Sequence, residues 1–306
     1  MAKDGKIGCA ILRLLTRPLA ALPLGFHRAA GRFFGRLAGG VLRYRRDVVM
    51  INLAKSFPEK SYSDLREICD RFYLRLGTIV TEAIWFGGCS AERLRKSGIG
   101  EITNPEVLDK YFEEGRSTIV MSSHNGNWEI YAGHVSFCAE SALGYPENDM
   151  CVAYKKLSNP AWERFMYANR IAPVADRKNY TGLVETHQFL RYALSHKNTP
   201  KMYIFITDQY PYTAASAVWM EDKFLSQKTR TMNGAAALAH KLGLPVVYLN
   251  MAVKEDGNYS LTYTPICDDG AQVSTEEILA AYYRLVEKDV RQQPWNYLWT
   301  HKRWKI

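Results

Sequence analysis

Cysteine is sparse in this chain, six residues in 306, with no C-x-x-C pair and no histidine at zinc-ligand spacing. A disulfide framework is therefore excluded, and Cys9, Cys69, Cys89, Cys138, Cys151 and Cys267 read as buried or inert thiols in a reduced compartment. No metal role is read for His134, His187, His196, His240 or His301, which form no spaced ligand set. Between Arg17 and Arg28 lie only ten uncharged residues, Pro18 and Pro23 among them, whereas a helix crossing a bilayer needs about 20 apolar residues. Arg13 cuts any signal-peptide core short, and no cleavage site follows. The chain also has no G-x-S-x-G elbow, no Walker loop, no H-E-x-x-H and no Rossmann glycine fingerprint, which removes the commonest hydrolase, nucleotide and zinc-protease chemistries.

Acids are nearly absent from one region. Residues 1–46 hold ten Lys or Arg and a single acid, Asp4, while residues 47–306 hold 30 bases and 30 acids. The whole net charge of +9 thus belongs to the N-terminal segment. From Leu24 onward, Arg28, Arg32, Arg36, Arg43 and Arg46 fall within roughly 80° of one another at 100° per residue, and Phe26, Phe33, Phe34, Leu37 and Val41 fall opposite. A cationic stripe backed by an apolar face suits a helix lying in a membrane interface, with anionic lipids attracted to the arginines. The same pattern fits a helix packed on the protein's own core. Nucleic acid is the weaker rival as a partner, because the rest of the chain is neutral and carries no recognition motif. The spacing of Gly31, Gly35 and Gly39 permits close helix packing. Two regions follow: a basic amphipathic segment, 1–46, and one domain, 47–306, undivided by repeats or low-complexity linkers.

Within that domain the spacing of Leu65, Ile68, Phe72, Leu76 and Ile79 predicts a helix over Ser63–Phe86. Asn104-Pro105 and Asn159-Pro160 predict helix starts, Ser274–Glu277 a capping box, and Gly243 the end of a helix over Met232–Leu242. Strands are predicted at Thr118–Ser122, Met150–Tyr154, Met202–Thr207, Val246–Val253 and Tyr259–Thr264, the last two as a hairpin. Strands alternating with helices argue for an α/β fold with a largely covered sheet.

The block carrying chemistry is Ser122-Ser123-His124-Asn125-Gly126-Asn127-Trp128-Glu129, between a strand and a helix-like stretch. On a continuous helix His124 and Glu129 would stand about 140° apart. At a strand-to-helix junction, with Gly126 folding the backbone between them, the imidazole becomes a general base and the carboxylate its orienting partner. A surface cap is the bland alternative. Ser123 beside His124 is no nucleophile–base pair, since adjacent strand residues point to opposite faces.

Four blocks in order, His124–Glu129, Ile204–Gln209, Thr231–Ala236 and Asn296–Trp304, together with the basic apolar N-terminus, make the chain resemble the late acyltransferases of lipid A biosynthesis, relatives of the lysophospholipid acyltransferases. The resemblance implies a mixed sheet flanked by helices, glycerolipid-acyltransferase-like, with an amphipathic membrane-associated N-terminus on the cytoplasmic face of a bacterial inner membrane. It implies transfer of a fatty acyl chain from acyl carrier protein, with no separate cofactor, to a hydroxyl of a lipid A precursor or related glycolipid. His124 would be the base, Glu129 its partner and Arg170 the oxyanion residue, with Arg177 second in line. Asp208 and Gln209 match the family's Asp-Gln block, and Lys155 stands where a Tyr-Arg pair is common; with Arg177 these are read as substrate-binding. The tail Trp299–Trp304 reads either as core packing or as an interfacial anchor. An idle membrane-bound scaffold of the same fold, or another lipid acceptor, remains as the alternative.

Overall fold

The computed structural model describes residues 5–137, 146–211 and 217–304; Cys138 lies outside them. The helices are α1 Lys6–Ala20, α2 Leu24–Arg36, α3 Arg46–Ser56, α4 Tyr62–Phe86, α5 Ala91–Ser97, α6 Glu106–Glu113, α7 His134–Phe137, α8 Pro160–Arg170, α9 Phe189–Ser195, α10 Gly234–Leu242 and α11 Thr275–Gln292. The strands are β1 Gly100–Ile102, β2 Thr118–Ser122, β3 Met150–Tyr154, β4 Leu183–Glu185, β5 Met202–Ile206, β6 Ala217–Trp219, β7 Arg230–Met232, β8 Val246–Val253 and β9 Tyr259–Cys267.

Seven strands form one mixed sheet in the order β1-β9-β8-β2-β5-β3-β4. The run from β8 to β4 is parallel, and β9 returns antiparallel to β8 as the predicted hairpin. β2 lies between β8 and β5, and all five of its residues are buried, which explains an unbroken apolar run where a half-solvated strand would alternate. Its side chains still divide by parity: Ile119 and Met121 enter the core under α4, α10 and α11, while Val120 enters the core on the other face.

Local signals decide the helix starts. Ser274 and Glu277 form the capping box of α11, and Asn159 accepts from the N–H groups of Ala161 and Trp162 at the head of α8. Asn104 behaves otherwise: its side chain bonds the backbone of Tyr263, on β9, instead of capping α6. Gly243 ends α10 in the left-handed conformation, φ 63°. That helix begins at Gly234 rather than Met232, because Met232 pairs with Ala217 in a two-stranded ribbon.

The N-terminal helices sit on the domain. α1 and α2 are bent by 115° from one another, with Pro23 at the break, and among the described residues no single helix is long and apolar enough to cross a membrane. Gly31, Gly35 and Gly77 bring α2 and α4 into backbone contact: a Cβ at Gly31 would strike Thr78 and Thr81, and one at Gly35 would strike Tyr73. The small-residue spacing is thus a packing seam. α1 lies against the head of α8, where a Cβ at Gly8 would meet Ala161. Much of what these helices and the turn after them expose is apolar: Ile7, Ile11, Leu14, Leu15, Leu19, Phe26, Phe33, Phe34, Val41 and Leu42 are all exposed.

The arginine stripe is not one surface. Arg28 turns inward, donating to Glu82 on α4 at 2.9 Å and to Asn258 at 2.9 Å, because a carboxylate buried without exposure requires a cation. Arg46 is held by Asp70 at 2.7 Å, while Arg32, Arg36 and Arg43 remain exposed. Cys9, Cys69, Cys89 and Cys151 are buried free thiols and Cys267 is half-buried. Burial pushes the Cys69 and Cys151 thiols up to about 11, which leaves them protonated and unreactive. The C-terminal tail is core: Trp299 is fully buried, and Arg303 donates to the Arg230 carbonyl and the Tyr283 hydroxyl.

Candidate active site

In parallel sheets, ligands gather beyond the carboxyl ends of the strands. Here the register of the two central strands sets the chemistry. β2 and β5 are neighbours with Ser122 opposite Ile206, so two residues past each end His124 and Asp208 stand side by side. His124 Nδ1 lies 2.6 Å from Asp208 Oδ1, and the His124 backbone N–H donates to the same oxygen at 3.2 Å. Trp128 meets the imidazole edge-on, with centroids 5.0 Å apart. The ring is thereby fixed from two sides.

Asp208 is 1 % exposed. Burial alone would raise its pKa, but the His124 ring, the His124 backbone N–H and the charge of Arg303 together outweigh it and hold the carboxyl below its ordinary value. An ionised carboxylate only accepts, so the proton sits on Nδ1 and the lone pair on Nε2. Nε2 accepts from the Gln209 amide at 2.8 Å. A substrate hydroxyl reaching Nε2 must therefore take the place of that amide N–H.

The acid partner of His124 is accordingly Asp208 and not Glu129, contrary to the expectation from H-x4-E. The 3₁₀ turn Trp128–Gly133 carries Glu129 toward the end of α8, where Arg170 binds it through two bonds, Nε to Oε2 at 2.9 Å and Nη2 to Oε1 at 3.1 Å. Burial works against the Arg170 charge, but Glu129 more than offsets it and the guanidinium pKa is raised. Among the described residues two of its five N–H groups serve Glu129 and the other three have no hydrogen-bond partner. Asp208 stands behind the imidazole and is not on the cavity wall, a correction to its reading as a substrate-binding residue. Arg177 is likewise elsewhere: its guanidinium caps the carbonyls of Ala172 and Val174, past the end of α8.

Gln209, bonded to His124, is not on the cavity wall either; the other predicted residues converge. His124, Glu129, Lys155 and Arg170 line one cavity of about 850 Å³, whose apolar walls include Val152, Leu183, Phe205 and Ile206. Gly234 and Ala235 of α10 also line it, so the positive end of that helix, with N–H groups unsatisfied inside it, opens on the cavity. Among the described residues no cluster of His, Cys, Asp and Glu has a metal-binding arrangement.

The His124 loop is braced from behind. Gly126 adopts φ 68°, and a Cβ there would lie 2.6 Å from Met251, so the tight turn demands glycine. The Gly126 N–H donates to Asn296 at 3.2 Å, and Asn125 bridges Tyr297, which binds the C-terminal block to the loop. Asn127 donates to Glu82 at 3.0 Å. Glu82 also accepts from Tyr259 and Arg28, with Arg75 at 4.0 Å. One buried carboxylate thus joins the N-terminal helices, α4, β9 and the histidine loop. Sequence reasoning missed Glu82 and the pairing of Asp208; the only sequence signal for Glu82 was an acid set among the apolar positions of α4.

The chain is similar to known proteins along most of its length. A family model described as bacterial lipid A biosynthesis acyltransferase matches residues 7–306. The chain is 23 % identical over 281 residues to the lipid A biosynthesis palmitoleoyltransferase of Escherichia coli K12, covering 90 % of this chain and 83 % of that protein. It is 22 % identical over 308 residues to the lipid A biosynthesis lauroyltransferase of the same organism, covering 98 % and 90 %. A lipid A biosynthesis acyltransferase of Shigella flexneri is 23 % identical over 281 residues, 90 % of this chain and 83 % of that protein.

Proposed function

This chain belongs to the bacterial lipid A biosynthesis acyltransferases, and from that premise we propose how its residues divide the work of moving an acyl chain. The donor is an acyl carrier protein thioester, and the acceptor is a hydroxyl of a lipid A precursor. His124 Nε2 takes the proton from the acceptor hydroxyl as its oxygen attacks the thioester carbonyl. The charge that develops on the imidazole faces the Asp208 carboxylate. Arg170, steadied by Glu129, and the N–H groups at the head of α10 face the tetrahedral oxyanion; one such donor is typically worth about 3 kcal/mol. As the C–S bond breaks, the imidazolium returns its proton to the departing thiolate. The apolar walls at Val152, Leu183, Phe205 and Ile206 receive the acyl chain. Lys155 at the cavity edge meets anionic groups of the acceptor or the carrier protein.

The exposed apolar side chains of α1 and α2 favour a membrane-surface position, on the cytoplasmic face of the inner membrane, where a carrier protein and a lipid acceptor meet. The observation that carries this reading is that His124, paired with Asp208 behind it, opens on the same cavity as Arg170. The test is transfer of a labelled chain from acyl carrier protein to a purified lipid A precursor, with the product located by mass spectrometry. His124→Ala should lose about 10²- to 10⁴-fold in kcat, the usual share of a general base, while folding and vesicle binding persist. Full activity in that variant refutes the assignment. No transfer by the folded wild-type protein to any hydroxyl acceptor would instead favour a scaffold.

A further inference from the structure

A second cavity lies at the opposite end of α4 from Glu82 and shares no residue with the catalytic one. It has a volume of about 600 Å³ and is lined by Arg36, Arg43, Arg46 and Arg66, with Asp70 the only acid. Arg46 is divided between Asp70 at 2.7 Å and the Gly39 carbonyl at 3.0 Å. The guanidiniums of Arg36, Arg43 and Arg66 have no hydrogen bond or ion pair among the described residues. Four arginines and one acid on its lining leave the cavity with an excess of positive charge, which attracts an anion. The backbone holds Arg43 at φ 50°, in the left-handed region that favours glycine, yet the residue there is an arginine that lines the cavity.

We propose that this cavity binds a phosphomonoester borne by a membrane lipid headgroup. With Asp70 counted the four arginines leave a threefold positive excess. That excess suits a group carrying close to two negative charges and three acceptor oxygens better than the single charge of a diester. Val41 and Leu42, next to Arg43, are about 70 % exposed, at 74 % and 69 %, and the apolar face of α1 and α2 continues from them. A headgroup in the cavity would therefore leave its acyl chains on the side where the protein offers apolar surface. The lipid as source rests on the membrane-surface reading above; the phosphate chemistry of the cavity does not.

Two arms separate these. In the first, water-soluble glycerol 3-phosphate is titrated calorimetrically into the full chain. In the second, the protein is sedimented with phosphatidylcholine vesicles containing either phosphatidic acid or phosphatidylglycerol, matched for surface charge. Two variants attack the cavity: Arg43→Gln with Arg66→Gln, and Gly40→Leu. Gly40 lines the cavity, and a Cβ there meets no atom within 4 Å, so leucine takes up volume without changing charge. The control, Arg13→Gln with Arg17→Gln, removes as much charge from α1, outside the cavity.

Wild type should bind phosphatidic acid vesicles at least tenfold more tightly than charge-matched phosphatidylglycerol vesicles. Either cavity variant should erase that preference, and the control should weaken both compositions alike. Equal affinity for the two vesicles in wild type, or a preference that survives both cavity variants, overturns the proposal. If no vesicle binds but glycerol 3-phosphate does, and Gly40→Leu abolishes it, the membrane reading and the lipid source fail while the phosphate site stands.

Discussion

Replacing Asp208 with asparagine isolates the partner of the imidazole. The amide oxygen still accepts from Nδ1 and from the His124 backbone N–H, which share Oδ1 at 2.6 and 3.2 Å. Ground-state geometry therefore survives, and only the full negative charge is lost. That charge matters once Nε2 has taken a proton, because the imidazolium then sits beside a residue 1 % exposed, where water cannot substitute. A hydrogen bond to a charged group is worth about 1.5–3 kcal/mol, which predicts a fall in kcat of about 10- to 150-fold. KM for both substrates should hold, since Asp208 stands behind the ring and off the cavity wall. If the amide turns its NH₂ toward Nδ1, the tautomer inverts and the loss deepens. The assay is steady-state transfer from labelled acyl carrier protein at saturating acceptor, with thermal unfolding as the control for folding. A variant within threefold of wild type, or a loss carried by KM alone, would falsify the His124–Asp208 assignment.

Other expectations follow from the same contacts. Glu129→Gln removes one arm of the grip on Arg170 and should cost about tenfold in kcat. Its effect should multiply with that of Asp208→Asn, because the two pairs are separate, and should be non-additive with Arg170→Gln, because those two act as one unit; the reverse pattern would restore a His124–Glu129 dyad. Glu82→Gln leaves the buried Arg75 and the half-buried Arg28 without a counter-ion and should cost about 3–5 kcal/mol by urea unfolding; a loss under 1 kcal/mol refutes that network. Burial holds the pKa of His134 down to about 3, against about 6.5 when unfolded. Between those values the unfolded chain binds a proton that the native chain refuses, so acid destabilises the fold by about 1.4 kcal/mol per pH unit through this group. The stability gap between wild type and His134→Gln should shift by about 1.2 kcal/mol from pH 6 to pH 5, where the unfolded histidine is completing its protonation, and parallel curves would sink the claim.

What the sequence made legible was whatever is written in neighbouring residues. The apolar runs of β2, β3 and β8 have the bounds that their composition suggests, and the capping box of α11 and the turn glycine Gly126 do what their chemistry allows. Three-residue strands such as β1, β4, β6 and β7 are too short to show a period, so they passed unseen. The arginine stripe counted charges along a helix without knowing that Arg28 would find a buried carboxylate 54 residues away.

The site itself shows where local reading stops. A histidine and an acid five residues apart suggested a self-contained dyad, and both do reach the cavity. Yet the bond between His124 and Asp208 spans 84 residues. It exists because two parallel strands adjoin with Ser122 opposite Ile206, and the order of strands in a sheet is decided by crossovers and not by the strands' own letters. Glu129, released from the histidine, is free to fix an arginine, and one motif thereby feeds two separate pairs. In the proposed mechanism that division separates two tasks: one pair would handle the proton while the other would present positive charge to the oxyanion, so neither would have to do both at once. A general base with its own carboxylate and an electrophile with its own carboxylate can each be tuned without disturbing the other, which is why the multiplicative test on Asp208 and Glu129 decides between one dyad and two pairs.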